Sequence, residues 1–178
     1  MRTQLMRLAV AAIVLSAPIG ASGRQAPKDA PSWDRWAFVL GEWVADGSGS
    51  PGQGTARFSF AFDLERRILV RKNHNEFPAS AGRPAAVHDD LLIVYPEGSR
   101  TRAVYFDNED HVIYYTLESS SDATALTLVS DKAAGAPRFR LVYAAATDGT
   151  LKIRFDIAPP DKPDAFSTYL EGTARRAK

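Results

Sequence analysis

Three histidines, His74, His88 and His111, are the side chains best suited to acid–base or metal chemistry in a chain that has no cysteine. Alternation along a strand puts His88 and Asp90 on one face, and His74 joins them if the faces of two neighbouring strands coincide. Such a cluster could transfer protons or bind zinc. The histidines lack the His-Glu-x-x-His spacing, so no metal site is predicted. We take His74, His88 and Asp90 as candidate catalytic residues and interpret His111 as a turn residue.

Aromatic side chains at alternate positions form a second candidate set, suited to binding an apolar molecule. Every second residue of the segment 58–62 is phenylalanine, which predicts a strand with one apolar face. The predicted ligand-binding residues are Trp43, Phe58, Phe60, Phe62, Tyr105 and Phe155.

Four arginines alternate with apolar residues in the same way, namely Arg71, Arg102, Arg140 and Arg154. An inward arginine could hold an anionic head group, whereas an outward arginine is solvated and covers apolar surface with its stem. The sequence leaves both interpretations open.

All these residues fall on short β-prone segments that are separated by turn residues. The ten predicted strands are 42–48, 55–63, 67–77, 86–95, 101–107, 111–118, 123–131, 138–145, 150–158 and 165–174. One short helix is predicted within 32–40, where Ser32 is a suitable N-cap. We therefore predict an all-β fold, a ten-stranded antiparallel up-and-down barrel preceded by one short helix. Closure is favoured because it leaves no exposed edge strand, and ten strands enclose space for a ligand.

The first 23 residues have the organisation of a bacterial-type signal peptide. Arg2 and Arg7 precede an uncharged apolar stretch, 8–20, which is shorter than the about 20 residues that a membrane-spanning helix needs. Cleavage after Gly23 leaves a flexible linker, 24–31, and a single barrel domain, 32–178. We predict a periplasmic or secreted protein with no stable membrane anchor. The formal charge of +1 also argues against a nucleic-acid binder with a dense basic face.

The start of the predicted first strand, Gly41-Glu42-Trp43 followed by Gly47-Ser48-Gly49, resembles the opening of calycin-like barrels. With the ten-stranded meander behind it, the chain is most similar to nitrobindin-like haem-binding barrels and related secreted bacterial barrel proteins. The resemblance implies that Trp43 plugs the base of the barrel.

In nitrobindin-like proteins a histidine of the last strand holds ferric haem, and the corresponding segment here, 166–172, has no histidine. The resemblance places Tyr169 near the ligand position, or Thr168 or Ser167 if the alignment shifts. A tyrosine can bind ferric haem as a phenolate when a nearby cation lowers its pKa, and Arg154 or Arg175 could supply that cation. Haem is therefore an alternative cofactor, with Tyr169 as its ligand.

Together these patterns favour a secreted barrel that binds a small hydrophobic or amphipathic molecule in its interior without covalent chemistry. The alternatives are a nitrobindin-like ferric haem protein and a barrel enzyme with a His/Asp acid–base site. A fourth hypothesis is an envelope interaction module, which predicts a filled interior and an exposed apolar patch. The oligomeric state is left open.

Overall fold

A computed structural model describes residues 32–49, 54–80 and 82–178. Ten antiparallel strands close into one barrel, in which each strand pairs with its sequence neighbours and β1 also pairs with β10. The strands are β1 (Gly41–Gly49), β2 (Gly54–Asp63), β3 (Ile68–Phe77), β4 (Ala86–Glu97), β5 (Arg100–Asp107), β6 (Val112–Leu117), β7 (Ala125–Ser130), β8 (Arg138–Ala145), β9 (Leu151–Ala158) and β10 (Ser167–Arg176). The predicted all-β, ten-stranded up-and-down barrel is confirmed. The predicted signal peptide, 1–23, and linker, 24–31, lie outside the described residues.

The predicted N-terminal helix is a single 3₁₀ turn, Asp34–Trp36. The turn is short because the chain must enter β1 at Gly41, whose φ of +102° is one that residues with a Cβ rarely adopt. A Cβ at Gly41 would also lie 2.6 Å from Nη1 of Arg176, at the end of β10. The turn and the barrel wall therefore meet at a position that requires glycine.

Trp43 closes the base of the barrel beneath this turn. Its side chain is 3% exposed, stacks on Phe58 at 6.4 Å between ring centroids, and donates from Nε1 to the carbonyl of Val39 at 2.7 Å. The guanidinium of Arg176 lies 4.2 Å from the centroid of the Trp43 ring. These contacts tie the first and last strands to the turn, which seals one end of the barrel.

The closed end contains a dry apolar core, and the opposite end is open. The fully buried inward residues of the closed end include Trp36, Val39, Phe60, Leu69, Leu92, Leu126 and Leu151. The odd-numbered strands end at the open end of the barrel, and the even-numbered strands begin there. Inward apolar side chains near that end, such as Ile113, Phe139 and Phe155, are only half-buried. The interior is thus filled at the base and accessible towards the open end.

A buried carboxylate on the outer wall joins β8, β9 and β10. Asp156 is 0% exposed and accepts from Nε of Arg140 at 2.7 Å, from Nε of Arg154 at 3.2 Å and from Oγ1 of Thr168 at 3.0 Å. A bulge between Thr168 and Leu170 follows directly. Asp156 therefore fixes the start of β10, where the barrel wall changes register.

Two other features distinguish the barrel wall, a short strand pairing and an exposed group of apolar side chains. The pairing between β6 and β7 spans only three residue pairs, from Tyr115 opposite Ser130 to Leu117 opposite Leu128. Nearby, the outer face of β5 and β6 exposes Phe106, Val112 and Tyr114.

In the part of the chain that is described, no helix has the length and hydropathy needed to cross a membrane.

Candidate functional site

Polar side chains line the inner face of three adjacent strands near the open end of the barrel. The pairing register sets Asn75 opposite His88, Asn73 opposite Asp90, and Asp90 opposite Asp107. Arg71 and Tyr105 lie one step deeper on the same face, each opposite Leu92. We call Arg71, Asn73, His88, Asp90, Tyr105 and Asp107 the interior polar cluster. An inner wall with this many polar groups is unusual, because buried polar groups cost free energy unless they are hydrogen-bonded.

The cluster is centred on a buried ion pair. Nη1 of Arg71 lies 2.5 Å from Oδ1 of Asp90, and Nδ2 of Asn73 donates to Oδ2 of the same carboxylate at 2.7 Å. The side chains of Arg71 and Asp90 are 9% and 4% exposed. Burial raises the pKa of Asp90, and the charge of Arg71 and the amide of Asn73 oppose that rise. Together with the charge of His88, these two neighbours offset only part of the rise, and the pKa of Asp90 stays above its usual value.

His88 connects this pair to the solvent. Its Nε2 lies 2.9 Å from the hydroxyl of Tyr105 and 3.7 Å from Oδ2 of Asp90, and its Nδ1 lies 3.3 Å from Glu109 in the β5–β6 turn. Burial raises the pKa of Tyr105, and the charges of Asp90 and Asp107 raise it further. Tyr105 is therefore a neutral hydroxyl donor or acceptor at physiological pH.

Asp107 differs from Asp90 in its surroundings, although the two carboxylates face each other across β4 and β5. Asp107 accepts from the backbone N–H groups of Glu109 and His111, both at 3.0 Å, and contacts Nδ1 of His111 at 2.9 Å. Burial opposes the charged form, but the hydrogen bonds from His111 and Glu109 prevail and lower the pKa of Asp107. The turn thus holds one charged carboxylate at the edge of the cluster.

Three inward polar atoms in the described part of the chain have no hydrogen-bond partner: Nε of Arg71, Oδ1 of Asn73 and the hydroxyl of Tyr143. The three residues are 8%, 6% and 0% exposed. Burial raises the pKa of Tyr143 to about 12, so its hydroxyl is neutral. Buried polar atoms nearly always have a partner in folded proteins, and an exception calls for a specific explanation.

A cleft of about 640 Å³ lies at the rim of the open end, between β2, β3 and β4, and takes residues from both faces of the sheet. It is lined by Gly54, Thr55, Glu76, Phe77, Pro78, Ala85, Ala86 and Val87. Phe77 pairs with Ala86, and the next inward pair towards the base is Asn75 with His88. The inner face of β3 and β4 therefore changes from apolar at the rim to polar two residues deeper.

The wall opposite the cluster is apolar. Phe139 and Phe155 stack in parallel with ring centroids 5.7 Å apart, and Ile153 and Leu170 lie beside them with half-buried side chains. A molecule inside the open end would thus meet polar groups on β3–β5 and apolar groups on β8–β10. The open end of the barrel therefore has one polar wall and one apolar wall.

The predicted ligand-binding residues fall in two places. Trp43, Phe58 and Phe60 belong to the packed base, with exposures of 1–4%, and Phe62 packs edge-on against Trp33 below them. Tyr105 and Phe155 lie on opposite walls of the open end. Alternation along each strand groups these residues on one face, but it determines neither which face points inward nor the height of a residue along the barrel axis.

The predicted cluster of His74, His88 and Asp90 is not formed, because the faces of β3 and β4 that carry them do not coincide. His74 pairs with Asp89 on the outer face, with Nδ1 2.6 Å from Oδ1 of Asp89. Only His88 and Asp90 come together inside. Among residues 32–49, 54–80 and 82–178, no group of three or more His, Cys, Asp or Glu side chains is placed to hold a metal ion.

Of the four arginines singled out in the sequence, Arg71 alone points inward. Arg140 and Arg154 bind Asp156 on the outer wall, and Arg102 pairs with Asp131 there at 2.7 Å. The clamp for a ligand head group therefore has a single guanidinium, which Asp90 already neutralises.

Tyr169 lies at the bulge of β10, 41% exposed, with its ring edge-on to Phe155 at 6.2 Å between centroids. Of the two arginines expected to assist it, one is already paired and the other is distant. Arg154 is held by Asp156 on the outer wall, and Arg175 lies six residues further along β10, roughly 20 Å at 3.3 Å per residue. Haem ligation by Tyr169 stays a prediction.

Asn73 and Asp107 are polar residues of the site that the sequence did not single out. Each lies on an inward face two residues from a residue that was identified, Arg71 on β3 and Tyr105 on β5. The signal that could have found them is a polar side chain in phase with the apolar residues of its own strand.

We expect that removal of one partner of the Arg71–Asp90 pair strongly lowers the stability of the fold, whereas removal of both partners has little effect. Asp90→Val should destabilise the fold by about 3–5 kcal/mol because it leaves the Arg71 guanidinium buried without a counter-charge. The double variant Arg71→Met/Asp90→Val should recover most of that loss. Urea unfolding of the wild type, both single variants and the double variant measures the coupling. Additive single effects would show that the two side chains do not act as a pair.

The His111 contact to Asp107 predicts a change in acid stability. The folded-state pKa of Asp107 is lowered, so its contribution is fully present above the unfolded pKa of about 3.9 and is lost as the pH falls through the folded pKa. His111→Ala raises that folded pKa, so the variant should lose stability at a higher pH than the wild type. At pH 7 the free energies of unfolding of the wild type and of His111→Ala should differ by less than about 1 kcal/mol, because the His111 side chain is exposed to solvent. Urea unfolding midpoints of both proteins, measured from pH 7 to pH 2.5, test this. The same decrease of the midpoint with falling pH in both proteins would contradict it.

Comparison with known proteins shows the fold of this chain. No protein-family model matches it, and no curated protein does. The crystal structure of Rv2717c from M. tuberculosis is similar, with a TM-score of 0.55 and 15% sequence identity over 84% of this chain and 99% of that one. This chain therefore shares its barrel architecture with a solved structure, and the match extends over nearly the whole length of the solved chain.

Proposed function

We propose that this protein binds a small amphipathic molecule at the open end of its barrel, without covalent chemistry, and acts outside the cytoplasm. The observation that carries the proposal is the contrast between the two ends of the interior. The base is closed by fully buried residues, whereas the open end combines half-buried apolar side chains with a buried polar cluster and a cleft of about 640 Å³. Concave, mostly apolar sites with a few polar groups are typical of small-molecule binding.

The barrel fold supports the same function. A ten-stranded barrel is wide enough that its own side chains do not readily fill it, and here Trp36, Val39 and Trp43 close the base. The residues proposed to contact the apolar part of the ligand are Phe139, Phe155 and Leu170. Tyr105, Asn73 and Arg71 are proposed to face its polar part.

Blocking the mouth tests this proposal with a matched pair of variants. Ala86 points inward at the rim of the cleft, whereas Ala61 is exposed on the outer face of β2 and does not line the cleft. The probe is 1-aminoanthracene, a neutral amphipathic fluorophore whose emission increases in an apolar site. We expect saturable binding near one molecule per chain, at least tenfold weaker in Ala86→Trp and unchanged in Ala61→Trp.

Equal binding by both variants would place the probe outside the barrel, and no saturable binding by the wild type would overturn the proposal. Circular dichroism and thermal unfolding of both variants provide the folding control.

Ferric haem is the second candidate occupant, and the placement of Tyr169 supports it. The Tyr169 ring is exposed at the open end beside Phe155, where a phenol oxygen could meet a flat apolar ligand. Haem bound there would supply a ferric iron, and Phe155 and Phe139 would hold the porphyrin against the apolar wall.

A haemin titration distinguishes the two candidates. A red-shifted, stoichiometric Soret band that is lost in Tyr169→Phe would favour haem, with Tyr114→Phe on the outer wall as the matched control. We expect that 1-aminoanthracene binding survives Tyr169→Phe within about twofold, because the ring and its contact with Phe155 remain. A Soret band of equal strength in Tyr169→Phe would exclude Tyr169 as the ligand.

A further inference from the structure

We propose that the cleft at the rim of the open end binds the positively charged group of an organic amine, so that the molecule taken up by the barrel is an amphipathic cation. This inference rests on the proposed function, because it names the chemical class of that molecule and adds a contact at the mouth to those inside. It is carried by the lining of the cleft, whose residues are exposed or half-buried, and by the charges beside it.

One carboxylate lies among apolar groups in the cleft. Among the described residues that line it, Glu76 alone is charged, and its side chain is 66% exposed. The pairing register places Thr55 of β2 and Val87 of β4 on either side of Glu76. Side chains directly opposite each other in a sheet have Cβ atoms about 4.5–5.5 Å apart. An ammonium group at Glu76 can therefore also donate to the hydroxyl of Thr55, with apolar surface on its other side.

The aromatic part of the lining depends on glycine at position 54. A Cβ there would lie 2.6 Å from Cδ1 of Phe77 and 2.8 Å from the carbonyl oxygen of Glu76. The ring of Phe77 therefore packs against the backbone of β2 at the cleft, where it is half-buried. An alkyl chain can pack on such a ring, and a cation within about 6 Å of its face is attracted to it. The lining thus suits an apolar body that carries a charged nitrogen.

His74 orients the carboxylate of Glu76. Its Nε2 lies 3.2 Å from Oε1 of Glu76, and its Nδ1 lies 2.6 Å from Oδ1 of Asp89. The hydrogen bonds to Asp89 and Glu76 raise the pKa of His74. A neutral imidazole donates through only one of its nitrogens, so a deprotonated His74 cannot serve both carboxylates. Once His74 has lost this proton, a cation of the ligand can take up the charge of Glu76.

The open end beside the cleft carries more acidic than basic side chains. In the described segments 54–57, 74–80, 82–90 and 107–111, the acidic residues are Glu76, Asp89, Asp90, Asp107, Glu109 and Asp110, and the arginines are Arg57 and Arg83. Arg71, one step deeper in β3, neutralises Asp90. When the histidines are neutral, the other five carboxylates outnumber the two guanidinium groups, so the field at the cleft attracts cations and repels anions.

The test compares three probes of eight carbons each: octylamine, octanoate and 1-octanol. Each is titrated into the wild-type protein at pH 8.5, where an alkylamine is still protonated and an ordinary histidine is neutral. Displacement of 1-aminoanthracene and isothermal titration calorimetry measure the affinities. We expect octylamine to bind about tenfold more tightly than octanoate at low ionic strength, and the ratio to fall below about threefold in 0.5 M NaCl. The neutral 1-octanol reports on the apolar lining and should not respond to salt in this way.

Glu76→Gln assigns the preference to the cleft. It removes the charge and keeps the shape of the side chain, so it should weaken octylamine by about three- to fivefold, the range for an exposed ion pair, and leave 1-octanol unchanged. Glu118→Gln is the matched control. It removes the same charge from an exposed residue just beyond β6 at the base of the barrel, and it should leave the affinities of all three probes unchanged.

The outcomes separate this inference from the proposed function. If octanoate binds as tightly as octylamine while 1-octanol binds, the cationic class is wrong and binding at the open end stands. If Glu76→Gln weakens octylamine no more than Glu118→Gln does, the cleft is not the contact and the inference is wrong. If neither 1-aminoanthracene nor any octyl probe binds the wild type, the proposed function fails, and this inference with it. Should Glu76→Gln not fold, the ratio of octylamine to octanoate binding in the wild type and its decrease with salt decide alone.

Discussion

The pairing of β1 with β10 is the constraint on which the rest of the structure depends. Ten strands form a ring only if the first and last meet, and Trp43 with Arg176 fixes that meeting at the base. Once the ring is closed, each strand has one face inside and one outside, and side chains at the base fill the interior completely. The same ring is too wide to be filled by the shorter or polar side chains near the mouth. A sealed base and an accessible upper half are thus two results of one closure.

The interior polar cluster is difficult to explain as a device for stability. A buried ion pair is weak support for a fold, and apolar residues of similar volume would commonly serve as well or better. Here Arg71 and Asp90 occupy inward positions next to Leu69 and Leu92, where apolar side chains already pack. Asp107 is supported by the β5–β6 turn and Asp90 by Arg71 and Asn73, so the two carboxylates experience opposite influences on their pKa values. A polar arrangement that is retained at such cost, beneath an apolar rim, is most simply explained by what it contacts.

Sequence patterns were sufficient for the strands and insufficient for the site. All ten strands begin and end within two residues of their predicted bounds, and the strand 138–145 matches at both ends, because turn residues and period-two alternation are local signals. The inward face is a global property. On β5 the more apolar residues, Val104 and Phe106, point outward, and Ala103, Tyr105 and Asp107 point inward. Likewise, the register that separates His74 from His88 depends on how β3 and β4 pair across an eight-residue connection, which composition does not determine.

The short pairing between β6 and β7 gives the barrel a weak point in its wall. Only three residue pairs join these strands, whereas nine join β3 to β4. Local opening follows the fewest and most easily broken contacts, so this seam should separate before any other part of the ring. Tyr115, on the seam, is fully buried and faces the same interior as Arg71. If these two strands part, Tyr115 and the interior beside it become exposed to solvent without any change at the mouth.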